Sequence, residues 1–327
     1  MKQLFEAFGG LKVLIAGDVM VDRYLSGSVS RISPEAPVPV VQLAKVENRL
    51  GGAANVALNV NALGAQPFLL STLGADEAGA VFDRLLPEHG LRTDGILCSR
   101  ERKTTVKTRI LAASQQLLRV DSEDSHDLSA AEAGALLDRF RSLLDAHEIK
   151  VILLQDYNKG VLSAGVIADM LVEAQLRGIP VAVDPKRQNF WAYQGVSLFK
   201  PNLKEVRDSV PFAVEPTLAS LRQTSAYLRE RLNNRITFIT LSDKGIFYDD
   251  GAEAAILPTQ PRSIADVSGA GDTVISVAAL GLALGLPLHD IALLSNLAGG
   301  QVCEKVGVAP VDIAQLKKEY ADFLALK

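Results

Sequence analysis

The sequence predicts an α/β protein with a mostly parallel central sheet, helices on both faces and a small extra β layer. Three observations carry that expectation. From Leu128 onward short apolar runs alternate with helical stretches, the pattern of βα units in a parallel sheet. Asp18, Asp156, Asp184, Asn202 and Ser242 each follow such a run, at the strand ends where these sheets open their ligand crevice. Ser33–Ala44, Thr104–Ala112 and Gln115–Asp121 are β-prone segments outside the alternation.

In chain order, Leu11–Gly17 reads as a buried parallel strand. The prolines of Ser33–Ala44 exclude a helix and a central strand, leaving an edge or ribbon strand. In Leu50–Gly64, two glycines open a small-residue helix that Gly64 closes. Pro67–Ser71 is a strand and Asp76–Gly90 a helix. Thr104–Ala112 and Gln115–Asp121 form a hairpin through Ala113-Ser114, with Lys107 and Arg109 alternating onto one face. Helices at Ser129–His147, Ser163–Arg177 and Thr217–Leu232 separate strands at Val151–Leu154, Val181–Val183, Ser197–Lys200 and Ile236–Leu241. Leu203–Arg207 starts a further helix, Phe247–Tyr248 and Ala254–Leu257 read as a terminal hairpin, and Ala270–Leu284 and Pro287–Glu304 as core helices.

Composition narrows the class. The chain has 327 residues, 48% of them hydrophobic, and a net charge of −4, ordinary for a globular protein able to bury a sizeable core. With no basic block, nucleic acid is not expected as a partner. Cys98 and Cys303 are the two cysteines, a usage that fits a reducing cytoplasm and offers no disulfide framework or cysteine metal cluster. Met1–Gly10 lacks the apolar run of a signal peptide, and Val277–Leu288 is too short to span a bilayer. A cytoplasmic protein is expected, with no membrane partner.

The chemistry concentrates in Ile264–Ile275, IADVSGAGDTVI. Gly269-Ala270-Gly271 let backbone pack around an anion, and the helix that follows would point its positive end there. Asp272 repels an anion, so it needs a task; proton abstraction from an attacking hydroxyl is one, a helix cap another. There is no GxxxxGK[ST], no HRD or DFG set, no HExxH and no GxSxG, which removes the commonest ATP, zinc and serine-hydrolase signatures.

Gly51-Gly52-Ala53-Ala54-Asn55 with Gly64, followed much later by Asp266-Val267-Ser268-Gly269-Ala270-Gly271-Asp272-Thr273, resembles the paired signatures of the ribokinase-like, or PfkB-type, sugar kinases over nearly the whole chain. Within that family the text Gly17–Tyr24, Ser30–Val40, Lys107-Thr108-Arg109, Gln115-Gln116, Asp156–Gly160 and Asp184-Pro185-Lys186 is similar to bacterial kinases of heptose 7-phosphate in lipopolysaccharide-core synthesis. Many of these carry a second, nucleotidyltransferase domain with an HxGH motif; this sequence is expected to be the kinase-only form.

The resemblance implies a ribokinase-like three-layer sandwich over residues 1–327, with a β lid from about 34–45 and 103–121. It implies ATP-dependent phosphorylation of D-glycero-β-D-manno-heptose 7-phosphate at O1, with Asp272 as base and Gly269, Ala270 and Gly271 as anion hole. It assigns the sugar to Asp18, Asp22, Arg23, Gly51, Gly52, Asn55, Lys107, Arg109, Gln116, Asp156 and Lys186, with Arg119 and Arg187 as further cations. It assigns ATP to Asn202, Ser242, Asp243, Gly245, Gly269, Gly271 and Asn296, and Mg²⁺, through water, to Asn202 and Glu205. Asp266 and Ser268 match a monovalent-cation site of some relatives, leaving K⁺ open, and relatives imply a homodimer through the lids. Another sugar specificity, or a non-catalytic sugar-phosphate sensor, are the competing readings.

Overall fold

Val13–Ala16 is apolar without a break because its strand is covered on both faces. Val13 and Ile15 enter one hydrophobic cluster, Leu14 and Ala16 another. Val151 and Leu153 divide from Ile152 and Leu154 in the same way, and Phe238 from Ile239. The computed structural model, which describes residues 2–112 and 115–325, is therefore layered helix–sheet–helix. The expected turn at Ala113-Ser114 lies outside the described residues.

The first part of the chain forms α1 (Lys2–Phe8), β1 (Lys12–Gly17), β2 (Val19–Ile32), β3 (Pro39–Gly52), α2 (Ala53–Ala62), β4 (Gln66–Gly74), α3 (Glu77–Glu88) and β5 (Ile96–Ser99). Next come β6 (Val106–Ala112), β7 (Gln115–Ser122), α4 (Ala130–Ala146), β8 (Val151–Gln155), α5 (Ala164–Leu176) and β9 (Val181–Asp184). The last part forms β10 (Leu198–Phe199), α6 (Leu203–Ser209), α7 (Leu218–Leu232), β11 (Ile236–Thr240), β12 (Ile246–Asp249) and β13 (Ala254–Leu257). Helices α8 (Ala270–Ala283), α9 (Leu288–Cys303) and α10 (Ile313–Ala325) follow.

Among the described residues the main sheet runs β13-β12-β11-β10-β9-β8-β1-β4-β5. It is parallel from β5 to β11 and antiparallel at β12 and β13. Helices α2, α8 and α9 pack on one face and α4, α5 and α7 on the other. Strand order reverses around β1, whose neighbours are β4 and β8, so Gly17 and Asp18 emerge at the switch point. No helix among the described residues is long and apolar enough to cross a membrane.

A second sheet has the order β3-β2-β6-β7. Two antiparallel pairs, β2·β3 and β6·β7, join through a parallel pairing of β2 with β6. The sequence pattern raises no expectation of β2. Its start is buried and its Ser/Gly-rich end exposed, so no single period runs through it. β3 extends beyond the expected strand to Gly52, and α2 begins at Ala53; Gly51 and Gly52 end a strand and cap the helix. β5, α1 and α10 were also not expected.

Residues paired across strands share a face. Asp22 faces Arg49 and Lys107, Tyr24 faces Arg109, and Lys107 faces Asp121. On the opposite face Leu25 meets Val46 and Ile110, which meets Leu118. The sheet is thus charged on one side and apolar on the other, with Val46, Leu118 and Val120 about half exposed.

Candidate active site

Helix α8 starts at Gly269, whose φ of 82° is left-handed. A Cβ there would lie 2.8 Å from the Asn55 amide nitrogen, so glycine is required on both counts. The first-turn N–H groups have no carbonyl four residues back within the helix. That of Ala270 instead reaches Val267 O at 3.3 Å, which leaves Gly271 and Asp272 as the first-turn donors better placed for an anion.

Asp272, at the third helical position, is 4% exposed. Its Oδ2 accepts from Asn55 Nδ2 at 2.7 Å, and its Oδ1 from the Tyr157 hydroxyl at 2.6 Å and Gln155 Nε2 at 3.2 Å. Burial pushes its carboxyl up to about 6, against the pull of the Asn55 and Tyr157 donors. Burial and the neighbouring Asp272 hold the Tyr157 hydroxyl well above its ordinary value, so it remains a donor.

Next to this carboxylate lies a cation pair on the ends of β9 and β10. Lys200 Nζ is 3.0 Å from Asp184 Oδ2, with both side chains almost fully buried. Asp184 also accepts from Gln155 Nε2 at 3.2 Å, so one amide bridges Asp184 and Asp272. Lys186 bonds Glu205, stands 3.9 Å from Asp184 and has its nitrogen 5.5 Å from the centre of the Tyr157 ring. Burial works against its charge, but Asp184 and Glu205 outweigh it and raise its pKa.

These groups border a cavity of about 850 Å³, within the range of small-molecule sites. Asn202, Ser242, Asp243, Gly245, Gly269, Gly271 and Asn296 all line it. Segments distant in sequence are thus brought to one cavity. Gly245 has a φ of 97°, and Asn296 Nδ2 holds Pro258 O at 2.8 Å, tying α9 to the segment after β13. The segment Thr259–Arg262, Lys200 and Tyr157 also line the cavity and were missed in the sequence. Lys200 resembles any strand-end lysine there, and Tyr157 sits in the Asp156–Gly160 stretch, where the resemblance gives it no role.

The second sheet presents its charged face beside Asp272's partners. Arg109 pairs with Asp22, which is 3% exposed and lies so close to Gly51 that a Cβ would approach its oxygen to 2.2 Å. Lys107 Nζ is 5.4 Å from the centre of the Tyr157 ring, and burial lowers its pKa despite Asp22 and Glu123.

Several expected ligand residues have other partners. Asp18 is 1% exposed and accepts the N–H groups of Tyr157, Lys159 and Val161 at 2.8–3.1 Å; it anchors a loop. Asp156 is fully buried against Tyr193, Asn189 and the Asn158 N–H. Asn55, also fully buried, holds Asp272. Arg23 lies on the opposite sheet face from Asp22, bonded to Asn48, because strand neighbours point in opposite directions. Gln116 is exposed on β7 near the tip of the sheet.

Asn202 and Glu205 form a capping box on α6: the Asn202 side chain takes the Glu205 N–H and Glu205 Oε2 takes the Asn202 N–H, both at 2.8 Å. With Oε1 held by Lys186, Glu205 does not itself line the cavity. Asp266 takes the N–H groups of Ser268 and Gly307 at 2.9 and 3.0 Å.

The sequence matches the pfkB family carbohydrate kinases over residues 11–314. It is 43% identical to the D-beta-D-heptose 7-phosphate kinase of Bordetella bronchiseptica, covering 96% of this chain and 97% of that protein. It is 40% identical to the bifunctional protein HldE of Citrifermentans bemidjiense over 96% of this chain but 64% of that protein's length. The fold superposes on Escherichia coli phosphofructokinase-2 in complex with potassium with a TM-score of 0.81 at 18% identity, covering 96% of this chain and 99% of that one. Arabidopsis thaliana ribokinase complexed with ribose and ATP gives 0.71 at 15% identity, covering 94% and 98%. A match spanning both the strand-end carboxylates and the turn before Asp272 leaves one conclusion: this chain belongs to the pfkB family of carbohydrate kinases.

Proposed function

We propose that the protein transfers the γ-phosphoryl group of ATP to O1 of D-glycero-β-D-manno-heptose 7-phosphate, giving the 1,7-bisphosphate for the ADP-heptose of lipopolysaccharide core. The observation that carries this reading is the buried Asp272, poised between the cavity and the cationic sheet face. The 43% identity to a heptose 7-phosphate kinase along its whole length supports the choice of sugar.

In this reading Asp272 takes the proton of the attacking hydroxyl. Its Asn55, Gln155 and Tyr157 donors keep it ionised and aimed. The Gly271 and Asp272 N–H groups and the positive end of α8 receive the phosphoryl charge. Lys186 and Lys200 add positive charge to the same cavity, and Asp184 keeps Lys200 in place. Lys107 and Arg109 grip the distal phosphate, with Arg109 exchanging Asp22 for the bidentate anion.

Asp184 and Asn202 put hard oxygen atoms on the cavity wall, and no larger acidic or His/Cys cluster exists among the described residues. That donor set suits a mostly hydrated Mg²⁺. The ion, when bound, neutralises the phosphate oxygens. A K⁺ ion near Asp266 and Ser268 belongs to the same reading, and turnover with K⁺ replaced by a large organic cation tests it.

The apolar outer face, with Val46, Leu118 and Val120 exposed, supports a homodimer in which two second sheets pack together as lids. Light scattering gives twice the chain mass if this holds and the monomer mass if it fails. The cytoplasm, where ATP is available, is the proposed location.

Steady-state ATP turnover with the heptose 7-phosphate, beside ribose, fructose 6-phosphate and adenosine, tests the substrate. Preference for the heptose is expected. Turnover on another member of the panel alone keeps a sugar kinase and removes this sugar; tight binding without turnover on any favours a sensor.

A further inference from the structure

The loop at Val306–Val308 touches both the second sheet and the turn that opens α8. Arg49 Nη1 donates to Val308 O at 3.2 Å and Val306 O at 3.5 Å, and the Val308 N–H reaches the Tyr24 hydroxyl oxygen at 3.4 Å. Gly307 between them gives its N–H to Asp266 Oδ2 at 3.0 Å. The other Asp266 oxygen takes the Ser268 N–H at 2.9 Å, one residue before the Gly269 cap of α8. The fit is tight: a Cβ on Gly307 would come to 2.6 Å from Arg49 Nη1 and 3.0 Å from the Tyr24 oxygen.

On the sheet side, Tyr24 is 7% exposed and its ring receives two guanidinium groups. Arg49 Cζ lies 4.7 Å and Arg109 Cζ 5.3 Å from the ring centre, both within cation–π range. Arg109 is the residue paired with Asp22. Contacts therefore run without a gap from Asp22 and Arg109 through Tyr24 and Arg49 to the 306–308 loop, Asp266 and the first turn of α8. Tyr24, Arg49 and the 306–308 loop do not line the large cavity, whereas Val267, Gly269 and Gly271 do.

We propose that Tyr24 and Arg49 are positioning residues that latch the second sheet to the 306–308 loop and so fix the α8 turn for nucleotide phosphate. Neither touches the reacting atoms. Their effect on the nucleotide side passes through Asp266, whose two carboxylate oxygens join Gly307 to Ser268. By linkage, an anion that draws Arg109 toward itself changes one end of the latch, so sugar-side occupancy and nucleotide affinity are coupled; this last step rests on the function proposed above.

The test begins without sugar. Affinity for a non-hydrolysable ATP analogue with Mg²⁺, and amide hydrogen exchange across residues 266–271, are compared in wild type, Arg49→Ala, Arg49→Lys and Tyr24→Phe. Losing a charged donor on two carbonyls predicts roughly tenfold weaker analogue binding in Arg49→Ala, with faster exchange at 266–271. Arg49→Lys keeps a cation on the ring and fewer donors, so about threefold weakening is expected, and it carries the test if the alanine variant does not fold. Unchanged analogue affinity and unchanged exchange in the folded Arg49 variants overturn the latch, as does an affinity loss with no change at 266–271. A second arm titrates heptose 7-phosphate with and without the analogue. Wild-type coupling that shrinks in Arg49→Lys supports the sugar-side link, and equal coupling in both refutes it. Absence of heptose binding to wild type refutes the substrate while leaving the first arm readable.

Discussion

Asp18 and Asp272 stand at the same end of the main sheet, both nearly cut off from water, and burial pushes both carboxyls up to about 6. Their donors set them apart. Asp18 is held by three backbone N–H groups of the 157–161 loop, which cannot leave without moving the chain. Asp272 is held by the side chains of Asn55, Gln155 and Tyr157, and it borders the cavity. Equal acidity therefore does not mean equal role. The first carboxylate anchors the loop that carries Tyr157; the second faces the cavity with side-chain donors alone.

The strongest way to break this contrast is Asp272→Asn. Turnover is expected to fall by about 10²–10⁴-fold, the usual contribution of a general base, while nucleotide binding persists. Steady-state rates and ADP titration check both, and wild-type turnover in the variant would eliminate Asp272 as the base.

Next in size is the pH profile. Because Asp272 must be ionised to accept a proton, the rate should fall about tenfold per unit below pH ~6. Tyr157→Phe removes a donor that favours the ionised form, so the acid limb should move to higher pH. A limb that stays put in that variant would mean the titrating group is elsewhere. Stability has the opposite sign. Between the ordinary carboxyl value of 3.8 and about 6 the folded chain keeps protons on Asp18 and Asp272 that the unfolded chain has lost. Their contribution to stability is thus greatest below that window and declines as pH rises through it.

Asp18→Asn sharpens the contrast from the other side. An amide NH₂ would face backbone donors, costing about 1–3 kcal/mol of stability for an unmatched buried group. Denaturant unfolding measures this, and Asp272→Asn should lose less. The smallest effect is expected from Arg23→Ala on the far sheet face: within about 0.5 kcal/mol in the same unfolding measurement, with unchanged turnover. A large loss of turnover there would return Arg23 to the sugar site.

The βα alternation and the two glycine signatures made the main sheet and the α8 turn legible, because buried parallel strands leave continuous apolar runs such as Val151–Leu154. Of the cavity lining, Gly269 and Gly271 followed from those signatures, whereas Lys200, Tyr157 and Thr259–Arg262 did not. Strand β2 did not, since Val19–Ile32 leaves the core midway and mixes two faces in one segment. Asp18, Asn55 and Asp156 have protein partners that were not legible: sequence shows that a carboxylate or amide stands near a strand end, but not whether backbone or side chain meets it. Arg23 shows what the two-residue strand period adds: it stands on the opposite face from Asp22, bonded to Asn48.

The parallel pairing of β2 with β6 has a further consequence for how the molecule assembles. Each flanking hairpin is local, but the intervening chain builds α2, β4, α3 and β5. Joining the hairpins closes a long loop, whose entropy is recovered only once that intervening structure has formed. The Asp22–Arg109 pair spans this junction. During synthesis, the charged face is therefore completed only after Val106–Ala112 has emerged, and the β1 switch point later still, once β8 at Val151–Gln155 has joined β1.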